Sequence, residues 1–145
     1  MVILAAIAIA YGVVVLGGNY NLYRYNKRSL QGRLDELSSA VHDYVQDHGG
    51  QLPSSVSDLV DGQYIQAAVP KNPFTGNVMN FVLPRRWQGS DDIELTSRLS
   101  EDTSHAITVY YMIISMTAYT DDGDVLAKSL CQVKVPEEAL AAHKD

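Results

Sequence analysis

The chain has 145 residues, a formal net charge of −6 and one cysteine, Cys131. This length suffices for one modest domain besides a helical extension, and excludes two domains. The negative charge disfavours bulk binding to nucleic acid or to anionic lipid, and a single cysteine excludes an internal disulfide. Alternating residues around Cys131 predict a buried strand position, with an intermolecular or reactive thiol as the alternative.

Residues 1–18 contain no charged side chain. As a helix they would extend about 27 Å, close to the ~30 Å hydrocarbon core of a bilayer. The run has no basic leading segment, so we interpret residues 1–22 as a retained membrane anchor and not as a cleaved signal peptide. The residues expected to pack in the membrane and in an assembly are Met1, Val2, Ile3, Leu4, Ala5, Ile7, Ile9, Val13, Val14, Val15 and Leu16.

The same helix is predicted to continue through residues 23–50 as an amphipathic segment. Apolar residues recur at steps of three and four, which forms one stripe along a helix. Gly49-Gly50 is a typical stop signal. Because a small sheet must cover its apolar face, we expect the stripe to pack on it. The residues expected to hold the helix on the sheet are Leu30, Leu34, Leu37, Val41 and Tyr44.

Residues 51–77 predict a short helix followed by a structured loop. Ser54 or Ser55 is placed to cap the helix, with Asp58 in its first turn and Gly62 beyond its end. Two prolines, a glycine and two asparagines are typical of an ordered loop at residues 70–77.

Residues 78–145 predict an antiparallel sheet and a short C-terminal helix at residues 137–143. β-Branched and aromatic residues favour strands at residues 78–83, 93–96, 107–120 and 125–135. An Asp-Gly turn at residues 121–124 joins the last two strands. The predicted fold class is therefore α+β: a long N-terminal helix, apolar in its first half, whose second half packs on a small antiparallel sheet.

Two clusters suggest ligands. Asp121, Asp122 and Asp124 surround a glycine and offer hard oxygen ligands for calcium, although a solvated hairpin turn explains the same residues. In Arg85-Arg86-Trp87, the two arginines could bind phosphate and the tryptophan ring could stack on a nucleobase. A contact at a strand edge or between subunits explains the same residues.

Catalytic motifs are missing from the sequence. No nucleophile has a base at a suitable spacing, and we find neither a phosphate-binding glycine loop nor paired metal-binding cysteines. We therefore expect a protein that is not an enzyme and that needs no cofactor, apart from the calcium alternative.

The residues after the long helix form a distinctive series, which reads Gly49-Gly50, Leu52-Pro53, Tyr64-Ile65, Pro70 and Asn72-Pro73-Phe74-Thr75-Gly76. With the Asp-Gly hairpin, this series resembles type IV pilins and the pseudopilins of type II secretion. Two positions depart from the family pattern, since Ala5 replaces the usual acid and Leu22 the usual proline. These departures favour a minor, tip or divergent subunit.

The resemblance implies a structural subunit of a type IV pilus-like or pseudopilus filament. Such a subunit is held in the inner membrane by one span and then enters a periplasmic or extracellular filament, alone or with other pilin-like subunits. Residues 70–76 would shape the loop that meets a neighbour. The alternative is a monomeric, membrane-anchored binding domain of an envelope complex. Motility, adhesion, secretion and DNA uptake all stay open.

Overall fold

The computed structural model consists of one long helix, one short helix and a four-stranded sheet. It describes residues 2–66, 68–84, 86, 88–104, 106–138 and 140, and for residues 2–16 the backbone alone. The elements are α1 (Val2–Asp47), α2 (Val56–Asp61), β1 (Asn80–Val82), β2 (Asp92–Asp102), β3 (Val109–Tyr119) and β4 (Val125–Val135). The α+β class is therefore as predicted.

The long helix α1 runs for 46 residues and ends at two glycines. Gly49 has a φ of +61°, a conformation that glycine adopts without steric cost. The Gly50 N–H then donates to the Val45 carbonyl at 2.9 Å, as in a Schellman cap. These two residues satisfy a helix-end carbonyl and turn the chain away from the axis.

The second half of α1 covers one face of the sheet. Leu34 and Leu37 are fully buried, and they meet a core to which β3 contributes Met112, Ile114 and Met116. Two polar contacts fix the alignment with β4: the Gln31 side-chain amide donates to the Lys128 carbonyl at 2.9 Å, and the Ser129 hydroxyl donates to Asp35 at 2.8 Å. The later residue of α1 contacts the later residue of β4, so α1 and β4 run in the same direction.

The sheet has the strand order β1-β2-β3-β4 and is mixed. β2, β3 and β4 pair antiparallel, whereas β1 pairs parallel with β2, Asn80 lying opposite Asp92. The prediction of a purely antiparallel sheet is therefore wrong in this strand. Residues 83–91 return the chain to the end at which β1 began, so that β2 leaves in the same direction.

The short helix α2 begins as its sequence predicts. Ser55 is the N-cap, its hydroxyl accepting from the Asp58 N–H, while the Asp58 carboxylate accepts from the Ser55 N–H at 3.0 Å. This reciprocal pair is a capping box, and it satisfies two backbone donors that the first turn leaves open. Gly62 forms the C-cap.

The strand predicted at residues 93–96 is longer in the structure, because β2 continues to Asp102. Its second part is polar and mostly exposed, so no apolar alternation marks it in the sequence. This part is held by pairing with β3, from Ser97 opposite Ile114 to Asp102 opposite Val109. At the C-terminus, residues 137, 138 and 140 form 3₁₀ structure, and the rest of the predicted helix lies outside the described residues.

The predicted membrane anchor requires a correction. Within the described residues, no helix combines the length and the apolar character that crossing a membrane requires. From Gly17 onward α1 carries Asn19, Asn21, Arg24 and Lys27, which interrupt any apolar span. The prediction of a single-pass inner-membrane location is therefore wrong, and the alternative of a membrane-anchored monomer loses the same support.

Candidate assembly surface

The part of α1 that precedes the sheet contact exposes large side chains. We call residues 17–29 the emerging segment. Tyr25 is 70% exposed, Tyr20 61% and Leu22 59%, whereas Leu30, one residue beyond the segment, is fully buried. Leu22 and Tyr25 are three residues apart and lie side by side on the helix, and neighbouring exposed apolar groups of this size are typical of an interaction site.

One side of the emerging segment carries a regular series of positions. Gly18, Leu22, Tyr25, Ser29 and Gly32 follow one another at steps of 4, 3, 4 and 3 and therefore lie on one face of the helix. At 3.6 residues per turn, this outer stripe lies roughly 140° around the axis from the buried leucines. A Cβ added to either glycine would meet nothing within 4 Å. The outer stripe is thus open, with narrow positions at both ends.

A third side of the emerging segment is basic. Arg24, Lys27 and Arg28 are exposed, and the described residues place no carboxylate within 4.0 Å of them. The Arg24 guanidinium lies 5.7 Å from the centre of the Tyr20 ring, which is within cation–π range. These charges keep one side of the helix hydrated and leave the outer stripe as its apolar side.

The loop at residues 70–77 braces the emerging segment. The Phe74 ring lies 5.7 Å from the Tyr23 ring, measured between centroids, with their planes inclined at 59°. Tyr23 continues the buried stripe of α1 toward the N-terminus at helical spacing, seven residues before Leu30. The loop therefore extends the support of α1 beyond the sheet.

We call the loop at residues 70–77, with its Phe74–Tyr23 contact, the brace. It is held in place by Asn72, which is fully buried. Its side-chain NH₂ donates to the Ser90 carbonyl at 2.8 Å and to Asp91 at 3.0 Å, and its side-chain oxygen accepts from the Phe74 N–H at 2.9 Å. All polar atoms of this amide side chain thus have partners, as burial requires. Asn72 ties the loop to the turn that precedes β2.

Asp91 completes this attachment. Its carboxylate accepts from the Thr75 hydroxyl and, at 2.8 Å, from the Asn77 side-chain amide, besides Asn72. Burial acts to raise the pKa of Asp91, but the three hydrogen bonds outweigh it and hold the pKa below its usual value. The charged form is therefore the one that fixes the loop.

An aromatic cluster lies at the opposite end of α1. The Tyr44 and His48 rings stack 3.9 Å apart, and Tyr64 meets Tyr44 edge-on at 5.4 Å. The Tyr64 hydroxyl donates to Asp47 at 2.9 Å, and this hydrogen bond raises the pKa of Tyr64. Tyr44, expected to pack on the sheet, is half-buried and lies in this cluster, whereas the other four predicted packing residues are fully buried.

The remaining predicted residues are placed as follows. The residues expected in assembly before Gly17 lie outside the described side chains, and so do Met1, Arg85 and Trp87; Arg86 is exposed. Asp121, Asp122 and Asp124 are exposed in the β3–β4 turn, and the described residues contain no metal-binding group of three such side chains. The geometry thus gives the calcium interpretation no support.

Cys131 is half-buried under α1, and burial raises the pKa of its thiol.

Sequence reasoning did not anticipate the brace. The loop was recognisable from its prolines and asparagines, but its partner Asp91 lies fourteen residues beyond Asn77 in a polar segment without a pattern. No family model, curated protein or solved structure matches the chain.

Proposed function

We propose that this chain is a pilin-like or pseudopilin-like filament subunit that assembles by packing its N-terminal helix against those of other subunits. The observation that carries the proposal is the exposure of Leu22 and Tyr25, together with Tyr20, on a helix whose next apolar residues, from Leu30 to Val41, are buried in its own domain. The role is structural, and the partners are further copies of the chain or other pilin-like subunits.

The energetics favour contact between copies. Burying a leucine side chain fully stabilises a contact by about 2 kcal/mol, and tyrosine adds a large apolar surface with a polar tip. Gly18 and Gly32 would allow a neighbouring helix to approach closely, because neither position carries a side chain. A helix that offers a different side to each neighbour forms an open array and not a closed pair.

The order of elements agrees with the proposal. A long helix comes first, its second half packs on a sheet, and the loop carrying Phe74 lies at the point where the helix leaves the domain. The brace would fix the direction in which the emerging segment points. A fixed direction matters for a filament, since every subunit must offer its helix at the same angle.

The proposal is tested by adding charge to the outer stripe. At physiological ionic strength, the double variant Leu22→Lys/Tyr25→Lys should abolish the filaments formed by the purified full chain, as seen by negative-stain microscopy and sedimentation velocity. The matched control, Asn19→Lys/Asn26→Lys, adds the same charge roughly 90° around the helix from the stripe and should assemble normally. Filaments that survive in the Leu22/Tyr25 variant at physiological ionic strength, or native chains that form no filaments at any concentration, would refute the proposal.

A further inference from the structure

The sheet face opposite α1 has no covering element in the described part of the chain. We call it the open sheet face. Leu130 on β4 is 61% exposed there, beside the half-buried Ile113 of β3. These two side chains and their neighbours form a shallow groove lined also by Thr96, Arg98, Ser115 and Lys128.

The β4 side of the open sheet face is positively charged, although the net charge of the chain is −6. Arg98, Lys128 and Lys134 are all exposed on it, and no described carboxylate lies within 4.0 Å of them. Three acids share this face on β2, where Asp92 accepts from the Gln88 N–H, Glu94 from Tyr119 and Asp102 from Ser104. Lys128 and Lys134 on β4 therefore lie on the part of the face that carries no acid, with Leu130 between them.

The outer side of α1 offers the complementary charge. Glu36, Asp43 and Asp47 are exposed and continue the outer stripe beyond Gly32 at steps of 4, 7 and 4. Asp43 contacts His42 at 3.0 Å and Asp47 accepts from Tyr64, but no described lysine or arginine pairs with any of the three acids. The acids on the outer side of α1 and the cations on the open sheet face thus lie on opposite surfaces of the molecule.

We propose that the open sheet face of one molecule binds the acidic outer side of α1 in a second copy. Glu36 and Asp47 are about 17 Å apart along the helix. Lys128 and Lys134 are about 20 Å apart along β4. The two spacings differ by about 3 Å, which flexible lysine side chains can accommodate. The contact would cover Leu130 and Ile113 and bring unpaired charges of opposite sign together.

The two surfaces differ, so the contact is heterologous and repeats without closing. Copies would stack helix on sheet. This contact deepens the proposed function by naming a second interface between the same subunits, and it rests on that function for the filament it would reinforce. It uses none of the outer-stripe residues from Gly18 to Gly32, so the two contacts can be separated experimentally.

The test uses full-length chains that carry Leu22→Lys/Tyr25→Lys, in which packing of the emerging segments is removed. At low ionic strength this background chain should associate, as measured by sedimentation velocity. Adding Lys128→Glu/Lys134→Glu, or adding Glu36→Lys/Asp47→Lys, should weaken association at least tenfold. Mixing the two variants in equal amounts should restore it, because each then meets a partner of opposite charge.

The matched control is Lys71→Glu/Arg86→Glu, which makes the same charge change on exposed residues that are not part of the open sheet face. It should associate like the background chain. A background chain that is monomeric throughout, a charge-reversal variant that associates normally, or a mixture that fails to recover would overturn the inference. If the native chain forms no filaments although the background chain still associates, the proposed function alone is refuted.

Discussion

The two halves of α1 belong to one continuous helix but lie in different surroundings. Leu34 and Leu37 are fully buried against the sheet, while Leu22 and Tyr25 are 59% and 70% exposed. Both halves have apolar residues at helical spacing, so the periodicity is the same. The packed half explains how the domain folds. The emerging half contributes little to folding, and its apolar residues make sense as a surface for a neighbour.

The largest expected difference between the halves is in core stability. Leu34→Ala should lower the free energy of unfolding by about 3 kcal/mol, because it leaves a cavity under a fully buried position. Leu22→Ala in the emerging segment should change it by less than about 0.5 kcal/mol. Urea unfolding of monomeric protein measures both. Equal losses would mean that the emerging segment is also part of the folding core.

Next in size is the attachment of the brace. Asp91→Asn should cost about 2 kcal/mol at pH 7, because one accepting carboxylate oxygen becomes an NH₂ that cannot accept, which leaves at least one of the three donors without its partner. Asp122→Asn, in the exposed turn, should cost almost nothing. Because the folded state lowers the pKa of Asp91, its contribution is present above the unfolded value near 3.9.

The contribution of Asp91 is lost as the pH falls through its lower folded pKa. Unfolding curves of the native chain and of Asp91→Asn should therefore converge below about pH 4. Curves that stay equally far apart at low pH would show that the loss comes from packing and not from the carboxylate.

A smaller effect should follow from removing the ring that supports the emerging segment. Phe74→Ala should destabilise the fold by about 1 kcal/mol and let the helix open locally near Tyr23. Trypsin should then cut faster after Arg24, Lys27 and Arg28. Tyr25→Ala, whose ring has no aromatic partner among the described residues, should leave the cutting rate unchanged. An unchanged rate in Phe74→Ala would mean that the loop does not brace the helix.

The smallest expected effects come from replacing one glycine in each half of α1 by alanine. Gly32→Ala, in the packed half, should raise the free energy of unfolding by about 1 kcal/mol, since alanine favours helix and meets no neighbour. Gly18→Ala should leave global unfolding unchanged and slow only local hydrogen exchange around it. If both variants shift global unfolding equally, the emerging segment unfolds together with the domain.

Much of the fold could be predicted from local signals. The four predicted packing residues of α1 that are fully buried follow from a 3.6-residue period, and the Ser55 cap and the Asp-Gly turn each depend on a few neighbouring residues. The bounds of β4 were predicted without error, because its side chains alternate between the α1 side and the open sheet face.

The features that escaped prediction depend on distant residues. The polar end of β2 has no pattern of its own and is a strand because β3 lies beside it. The parallel pairing of β1 depends on how a loop returns, and the Asn72–Asp91 contact joins two polar segments that no periodicity relates. The predicted anchor relied on the uncharged run at residues 1–18, whereas the same helix carries polar residues from Asn19 onward.

The contact between Gln31 and β4 has a consequence for misassembly. β4 is an edge strand of eleven residues, and such an edge is a template for another strand, as in amyloid growth. By donating to the Lys128 carbonyl, the Gln31 amide occupies one of the acceptors an incoming strand would need. Lys128 and Lys134 add charge along the same edge. The helix thus protects the edge of the sheet against unwanted strand pairing.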